Sequence, residues 1–103
     1  MPSADVTVYQ AEWCPFSARV RQRLTELGVP FVAMPVDAYR DERDALEKAT
    51  GTREIPVVVL ADGTVLDGDT DDIVRELNAR FSGVSDEYAS QHRDQAEAHG
   101  SIV

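Results

Sequence analysis

The feature that most constrains the fold is a short strand followed closely by an amphipathic helix that begins at a proline. Residues Val6–Tyr9 are β-branched and aromatic, which is typical of a strand. From Pro15 onward, apolar residues recur at spacings of four and three, which predicts a helix that ends near Leu27. Gly28 suits the C-terminal cap of this helix. A second strand predicted at Val29–Val36 completes a β-α-β unit, whose two strands are expected to run parallel with a right-handed crossover.

The remaining periodic segments predict a single α/β domain. A charged helix is expected over Asp37–Ala49 and a buried strand over Ile55–Leu60. The Asp-Gly pair within Ala61–Thr64 is a strong hairpin signal and leads into a return strand at Val65–Leu66. A last helix is expected over Asp71–Phe81. The order β-α-β-α-β-β-α predicts a four-stranded mixed sheet flanked by three helices.

The end of the chain differs in composition from the rest. We assign residues 1–82 to one domain, which suits a chain of 103 residues. Residues 83–103 are polar and acidic, and a helix over Asp86–His99 would have only a thin apolar face. The sequence therefore leaves open a C-terminal helix, frayed at its ends, or a disordered tail.

Net charge excludes some classes of partner. The formal charge of −9 disfavours binding to nucleic acid, because few cations are available to replace the counterions of phosphates. It also disfavours docking on an anionic membrane. No apolar run is long enough to span a bilayer, and Met1–Asp5 does not resemble a secretion signal. We therefore expect a monomeric cytoplasmic protein.

The chain contains one cysteine, Cys14, and two histidines, His92 and His99. One cysteine excludes an intramolecular disulfide and a cysteine-only metal site within one chain. The two histidines are seven residues apart, which is too far on a helix for both to bind one metal ion. No metal site is predicted.

The position of Cys14 favours thiol chemistry. It follows a predicted strand and precedes the helix that begins at Pro15, so its sulfur would lie at the positive end of the helix dipole. Free backbone N–H groups there can bind a thiolate, which is the reactive form. Arg19 and Arg53 are candidate cations near the sulfur, whereas Glu12 opposes them. The alternative is that Cys14 is a buried and inert small apolar residue.

Three segments resemble the glutaredoxin family. Tyr9 with Trp13–Phe16 is similar to the family's active-site segment, with Ser17 where a second cysteine usually stands. Ile55–Val57 resembles the segment whose proline peptide is cis and faces the thiol. Gly68–Asp72 resembles the turn that binds the γ-glutamyl end of glutathione. The resemblance, which spans residues 5–81, implies a thioredoxin-like fold.

The same resemblance implies the site residues. Cys14 and Ser17 would be the catalytic pair, and ten further residues would bind the small thiol: Gln10, Trp13, Pro15, Phe16, Arg53, Ile55, Pro56, Gly68, Thr70 and Asp71. Within this set, Ile55 would pair its backbone with the bound thiol, the N–H groups of Thr70 and Asp71 would bind a carboxylate, and the Asp71 side chain would accept an ammonium group. Gln10 or Arg53 would replace a lysine that glutaredoxins usually carry shortly before the cysteine.

The resemblance also implies a reaction. Without a second cysteine, Cys14 would resolve protein mixed disulfides by a monothiol route, with glutathione or mycothiol as co-substrate and no tightly bound cofactor. Two alternatives remain open, an iron–sulfur cluster carrier and a binding module that has lost catalysis. Cys14–Ser17 followed by Arg19 also resembles the N-terminal domain of dehydroascorbate reductases and glutathione transferases, which shares the same fold.

Overall fold

The computed structural model describes residues 6–83 and 85–100. Residues 1–5, for which the absence of a targeting signal was predicted, and the last three residues of the acidic tail lie outside the described part. Four strands form one sheet in the order β2-β1-β3-β4. Their bounds are Val6–Gln10 for β1, Phe31–Pro35 for β2, Val57–Val59 for β3 and Val65–Leu66 for β4.

The strand directions agree with the prediction. Strand β1 pairs in parallel with β2, in a register that places Val8 opposite Ala33. It also pairs in antiparallel fashion with β3, where Val8 lies opposite Val58. The β3–β4 pair is an antiparallel hairpin. The predicted α/β fold with a mixed four-stranded sheet is therefore confirmed.

Four α-helices accompany the sheet. Their bounds are Pro15–Glu26 for α1, Asp44–Thr50 for α2, Thr70–Arg80 for α3 and Asp86–His99 for α4. A short 3₁₀ turn spans Arg40–Glu42. Within the described residues, no helix is both long and apolar enough to cross a membrane.

The main core lies on the face of the sheet that α1 and α3 cover. It combines buried valines of the strands with buried aliphatic residues of the two helices: Val6, Val8, Val58, Val20, Leu24, Ile73 and Leu77. Tyr9 points to the opposite face, because side chains alternate along a strand. There it lines a pocket together with Met34 of β2 and Leu46 of α2, so α2 lies on that second face.

The predicted helix over Asp37–Ala49 is wrong in its first half. The chain forms a loop and the 3₁₀ turn before α2 begins at Asp44. The buried side chain of Arg43 explains the break, because its guanidinium donates hydrogen bonds to the carbonyls of Asp37, Ala38 and Arg53, at 2.8, 3.0 and 3.0 Å. In a continuous helix, the first two carbonyls would accept from backbone N–H groups instead.

The C-terminal segment forms α4, which packs against α1. Ser85 caps its first turn by accepting a hydrogen bond from the Tyr88 N–H at 3.2 Å. Ala89 is buried, and Arg93 forms an ion pair with the buried Glu26 of α1 at 3.2 Å. The contacts with α1 are therefore both apolar and charged, although the apolar face of α4 is narrow.

Candidate active site

Cys14 is the N-cap residue of α1. Its backbone is extended, with φ −82° and ψ 118°, and Pro15 occupies the first helical position. The Cys14 N–H donates to the Ala11 carbonyl at 3.1 Å, which closes the loop after β1 into a turn. The sulfur accepts a hydrogen bond from the Ser17 N–H at 3.5 Å. The thiol thus has the capping role that serine or aspartate usually takes at a helix start.

The surroundings of Cys14 favour the thiolate. Burial raises the pKa of the thiol, but hydrogen bonds from the Ser17 hydroxyl and from the N–H groups of Ser17 and Phe16 lower it. The positive charge of Arg21 lowers it as well. The net result is a pKa below the ordinary cysteine value. Since the thiolate is the nucleophile, this arrangement suits thiol exchange.

Ser17 and Arg21 follow Cys14 on successive turns of α1, and both lower the pKa of its thiol. Ser17 is fully buried, and its hydroxyl also accepts the Ala11 N–H at 3.4 Å. The Arg21 guanidinium donates to the side-chain oxygen of the buried Gln10. It also pairs with Glu12 at 3.6 Å. Gln10 is therefore engaged by Arg21 at the end of β1.

A pocket of about 400 Å³ lies beside the start of α1. Phe16 of α1 forms one wall, and Ile55 and Gly68 come from the loops before β3 and α3. Thr70, the first residue of α3, closes it. Residues from all three segments predicted from the sequence thus meet at one pocket, although they are up to 54 positions apart along the chain.

Two backbone features accompany this pocket. The Ile55–Pro56 peptide is cis, as predicted, and Pro56 is buried. Gly68 has a φ of +95°, a left-handed conformation that L side chains rarely adopt. Glycine is therefore required for the turn that leads into α3.

Arg53 does not line the pocket. Its guanidinium forms ion pairs with Asp44 and Glu47 of α2, and it donates to the carbonyls of Arg40 and Asp41. The pKa of Arg53 is raised by these hydrogen-bonded carboxylates, that of Asp44 first. A role of Arg53 in binding a ligand carboxylate stays a prediction, and it would require this side chain to leave its present partners.

Trp13, Pro15 and Asp71, which were also predicted to bind the ligand, are not among the residues that line the pocket. Trp13 is 66% exposed, and Phe16, the wall of the pocket, is 57% exposed. Pro15 is exposed at the helix start. The Asp71 carboxylate forms an ion pair with Arg19, which links α3 to α1. The ligand roles of these side chains stay predictions.

Three residues of the site were not singled out from the sequence. Thr52 and Glu54 line the pocket but belong to no recognised motif. The cation that lowers the pKa of Cys14 is Arg21, rather than the predicted Arg19 or Arg53. A signal for Arg21 was present, because it follows Cys14 by seven residues, and residues at spacings of three, four and seven share one face of a helix.

Comparison with known proteins decides the family. A model of the glutaredoxin family matches residues 6–66, which is more than half of the chain. The chain belongs to the glutaredoxin family. The match runs from β1 to β4 and includes the Cys14 helix start and the Ile55–Pro56 segment of this glutaredoxin.

One curated relative is glutaredoxin-C6 of rice, which is 38% identical to this glutaredoxin over 61 residues. The aligned stretch covers 56% of this chain and 54% of the rice protein, so the chain spans about half the length of that relative. Among solved structures, glutaredoxin 2 of Salmonella typhimurium in complex with glutathione superposes with a TM-score of 0.65 and 20% identity. That alignment covers 79% of this chain and 35% of the Salmonella chain.

Glutathione transferases share the fold as well. A rice GST in complex with glutathione superposes with a TM-score of 0.69 and 23% identity. This structural alignment covers 82% of this chain and 37% of the transferase chain. The predicted likeness to the glutathione transferases is thus confirmed at the level of the fold.

Proposed function

We propose that this glutaredoxin is a monothiol oxidoreductase that releases low-molecular-weight thiols from protein mixed disulfides. The observation that carries the proposal is the Cys14 sulfur at the start of α1, with its pKa lowered, beside a pocket formed by three separate segments. Ser17 completes the catalytic pair by donating to the sulfur. The family assignment supports thiol–disulfide chemistry as the class of reaction.

The proposed reaction has two exchange steps. The Cys14 thiolate attacks the small-thiol sulfur of a mixed disulfide, the substrate's S–S bond breaks, and the protein thiolate leaves and takes a proton. Cys14 is now joined to the small thiol by a new disulfide. A second small thiol, as thiolate, attacks the small-thiol sulfur and releases a symmetric disulfide and the Cys14 thiolate. Per turnover, the protein sulfur of the mixed disulfide is reduced to a thiol, and one free small thiol is oxidised as it enters the symmetric disulfide.

Ser17 restricts the protein to this route. A second cysteine at that position would attack the loaded Cys14 and form an internal disulfide, but a hydroxyl is a far weaker nucleophile towards sulfur. In the proposal, Ser17 therefore stabilises the attacking thiolate in the first step and the leaving thiolate in the second. Its buried hydroxyl is held in place by the Ala11 N–H.

We propose glutathione or mycothiol as the small thiol. The pocket residues Ile55, Gly68 and Thr70 are available to a peptide-like ligand beside Phe16. The Salmonella glutaredoxin was solved with glutathione, which supports the first candidate. Arg53 pairs with Asp44, and Gln10 accepts from Arg21, so binding of a glutathione carboxylate by either residue would require it to exchange its present partner.

The proposal also covers the setting in which the protein acts. Its partners would be proteins carrying mixed disulfides, and one chain would suffice for the reaction. Both exchange steps require a reducing compartment that supplies the small thiol, such as the cytoplasm. Size-exclusion chromatography with light scattering tests the monomer.

The deciding experiment follows the release of glutathione or mycothiol from a model protein that carries one mixed disulfide. The reaction contains this glutaredoxin and an excess of the same thiol, and mass spectrometry counts both products. We expect catalysis with at least one of the two thiols, and none with Cys14→Ser. Ser90→Ala in α4 is the matched control, because it leaves the active site unchanged, and it is expected to retain full activity. Release no faster than with thiol alone, for both thiols, would contradict the proposed function.

A further inference from the structure

A closed set of polar contacts joins three side chains at the end of β1. The Arg21 guanidinium donates to the Gln10 side-chain oxygen and pairs with the Glu12 carboxylate at 3.6 Å. The Gln10 amide nitrogen in turn donates to Glu12 at 3.3 Å. Each side chain therefore contacts the other two, and both polar atoms of the Gln10 amide have a partner within the protein.

Gln10 is the fixed member of this set. It is 2% exposed and occupies the last position of β1. Its backbone carbonyl accepts the Val36 N–H at 3.2 Å, so the pairing with the β2 segment continues through it. The Glu12 side chain, in contrast, is 78% exposed, whereas that of Arg21 is only 20% exposed. A side chain held on a strand is placed more precisely than one on a loop, so Gln10 rather than Glu12 determines where the guanidinium lies.

The place of Arg21 matters for Cys14. The two residues are seven positions apart at α1, a spacing that puts them on one face of the helix. The positive charge of Arg21 acts on the sulfur through space and favours the thiolate. Such an effect weakens with distance and with screening by solvent, so it depends on a guanidinium that stays in place. Arg19, which also lies on α1, pairs with Asp71 of α3 instead.

We propose that Gln10 is a positioning residue for the reaction of Cys14, because it holds the Arg21 guanidinium at the end of β1. This role differs from the ligand role predicted from the sequence, since Gln10 acts through Arg21 and does not touch the substrate. The inference rests on the proposed function, because it concerns the nucleophile of the same reaction.

The test is a double-mutant cycle on the pH dependence of Cys14 alkylation by iodoacetamide. Its variants are Gln10→Met, Arg21→Met and the combination of both. Methionine resembles glutamine in length but is only a weak acceptor, so Gln10→Met releases the guanidinium. The pKa of Cys14 should then rise by about half a unit, the size of an interaction between partly exposed charges. At a pH below both pKa values, alkylation should slow by about twofold.

The double variant decides whether Gln10 acts through Arg21. Its pKa shift should equal that of Arg21→Met alone, because residues that act as one unit are not additive. Two shifts that add would overturn the inference, since Gln10 would then affect the sulfur without Arg21. Thr7→Val is the matched control, because it also removes a polar group from β1, in the paired part of the strand. It should leave the alkylation curve unchanged, and the same shift in this control would also overturn the inference.

A measurement on the unmodified protein keeps the inference testable if Gln10→Met does not fold. NMR relaxation of the Nε–Hε group of Arg21 should give an order parameter above about 0.6, the upper limit for flexible groups. Arg75, whose side chain is 73% exposed, is the reference and should give a lower value. An order parameter of Arg21 below about 0.6 would overturn the inference, because a guanidinium that moves freely is not positioned.

The outcomes separate the inference from the proposed function. A pH profile that depends on Gln10 through Arg21, together with no thiol release in the mixed-disulfide assay, would overturn only the proposed function. Thiol release, together with an unchanged pH profile in Gln10→Met, would overturn only the inference. In that case, a raised KM for the small thiol in Gln10→Met would assign Gln10 to the ligand role instead.

Discussion

Replacing Ser17 by alanine removes one hydrogen-bond donor from the Cys14 sulfur while the backbone of the helix start is kept. The Ser17 hydroxyl is fully buried, so water does not replace it readily. The N–H groups of Ser17 and Phe16 and the charge of Arg21 remain, because none of them depends on the hydroxyl. Burial of the sulfur, which raises its pKa, remains as well.

The size of the effect follows from the charge on the sulfur. A hydrogen bond to a charged group contributes about 1.5–3 kcal/mol. One pKa unit corresponds to about 1.4 kcal/mol, so the pKa of Cys14 should rise by about one to two units in Ser17→Ala. The thiolate fraction below both pKa values falls by about tenfold per unit, while each remaining thiolate becomes about threefold more reactive. At a pH below both pKa values, alkylation should therefore slow by about threefold to tenfold.

The assay is the rate of alkylation of Cys14 by iodoacetamide as a function of pH, followed by mass spectrometry. The chain has no other cysteine, so the inflection of this curve reports one group. Ser85→Ala is the matched control, because it removes a hydroxyl that caps α4 and leaves the start of α1 unchanged. It should cost about 1 kcal/mol of stability and leave the pKa of Cys14 unchanged. An unchanged or lower pKa in Ser17→Ala would refute the role given to the hydroxyl.

Three further predictions concern arginines and a buried carboxylate. Arg21→Met should raise the pKa of Cys14 by less than Ser17→Ala does, because its contribution is through space, and the same alkylation curve measures it. Arg43→Met should lower the free energy of unfolding by more than about 2 kcal/mol, because three carbonyls lose their donor. Urea denaturation measures this loss, and the free energy of unfolding of Arg43→Lys should lie between those of Arg43→Met and the unmodified protein. Burial raises the pKa of Glu26, but hydrogen bonds from Arg23, Gln22 and Arg93 outweigh burial, so the net pKa is lowered. The ionised Glu26 therefore stabilises the fold above its unfolded-state pKa, and this stabilisation is lost as the pH falls through the folded-state pKa. The stability advantage over Glu26→Gln should therefore shrink as the pH falls below the ordinary glutamate pKa of about 4.3. An advantage independent of pH would contradict the assignment.

Local patterns predicted much of this fold. The spacing of apolar residues after Pro15 was sufficient for α1, and the Asp-Gly turn was sufficient for the β3–β4 hairpin. Both depend on neighbours in the sequence, so no knowledge of the distant chain was required. The parallel β1–β2 pair followed from the handedness of β-α-β units, which holds for nearly all of them.

Interactions between distant segments could not be predicted in this way. The charged composition favoured a single helix up to Ala49. The Arg43 guanidinium instead donates hydrogen bonds to the Asp37 carbonyl before it and the Arg53 carbonyl after it, which interrupts the helix. This division places Asp44 and Glu47 next to Arg53, which is therefore unavailable as the predicted ligand cation. The site prediction at Arg53 thus depended on a fold detail that composition does not encode.

The C-terminal helix illustrates the same limit. Its apolar face is thin, so the sequence left its order open. Arg93 reaches Glu26, a residue 67 positions earlier that also binds Arg23 and Gln22. A buried carboxylate with several donors is a specific anchor, and neither partner is recognisable from its own neighbourhood.

In the proposed reaction, the Cys14 sulfur would have two roles that oppose each other, as the nucleophile and as the cap of α1. As a thiolate it accepts the Ser17 N–H and so stabilises the first turn of α1. Once the sulfur is part of a mixed disulfide, it is neutral and a poorer acceptor, and the helix start loses part of its cap. Folding free energy therefore favours the reduced protein over the loaded one. A protein whose reduced form is stabilised gives up its disulfide readily. Formation of the mixed disulfide would therefore destabilise the first turn of α1, and release of the small thiol would restore that stability.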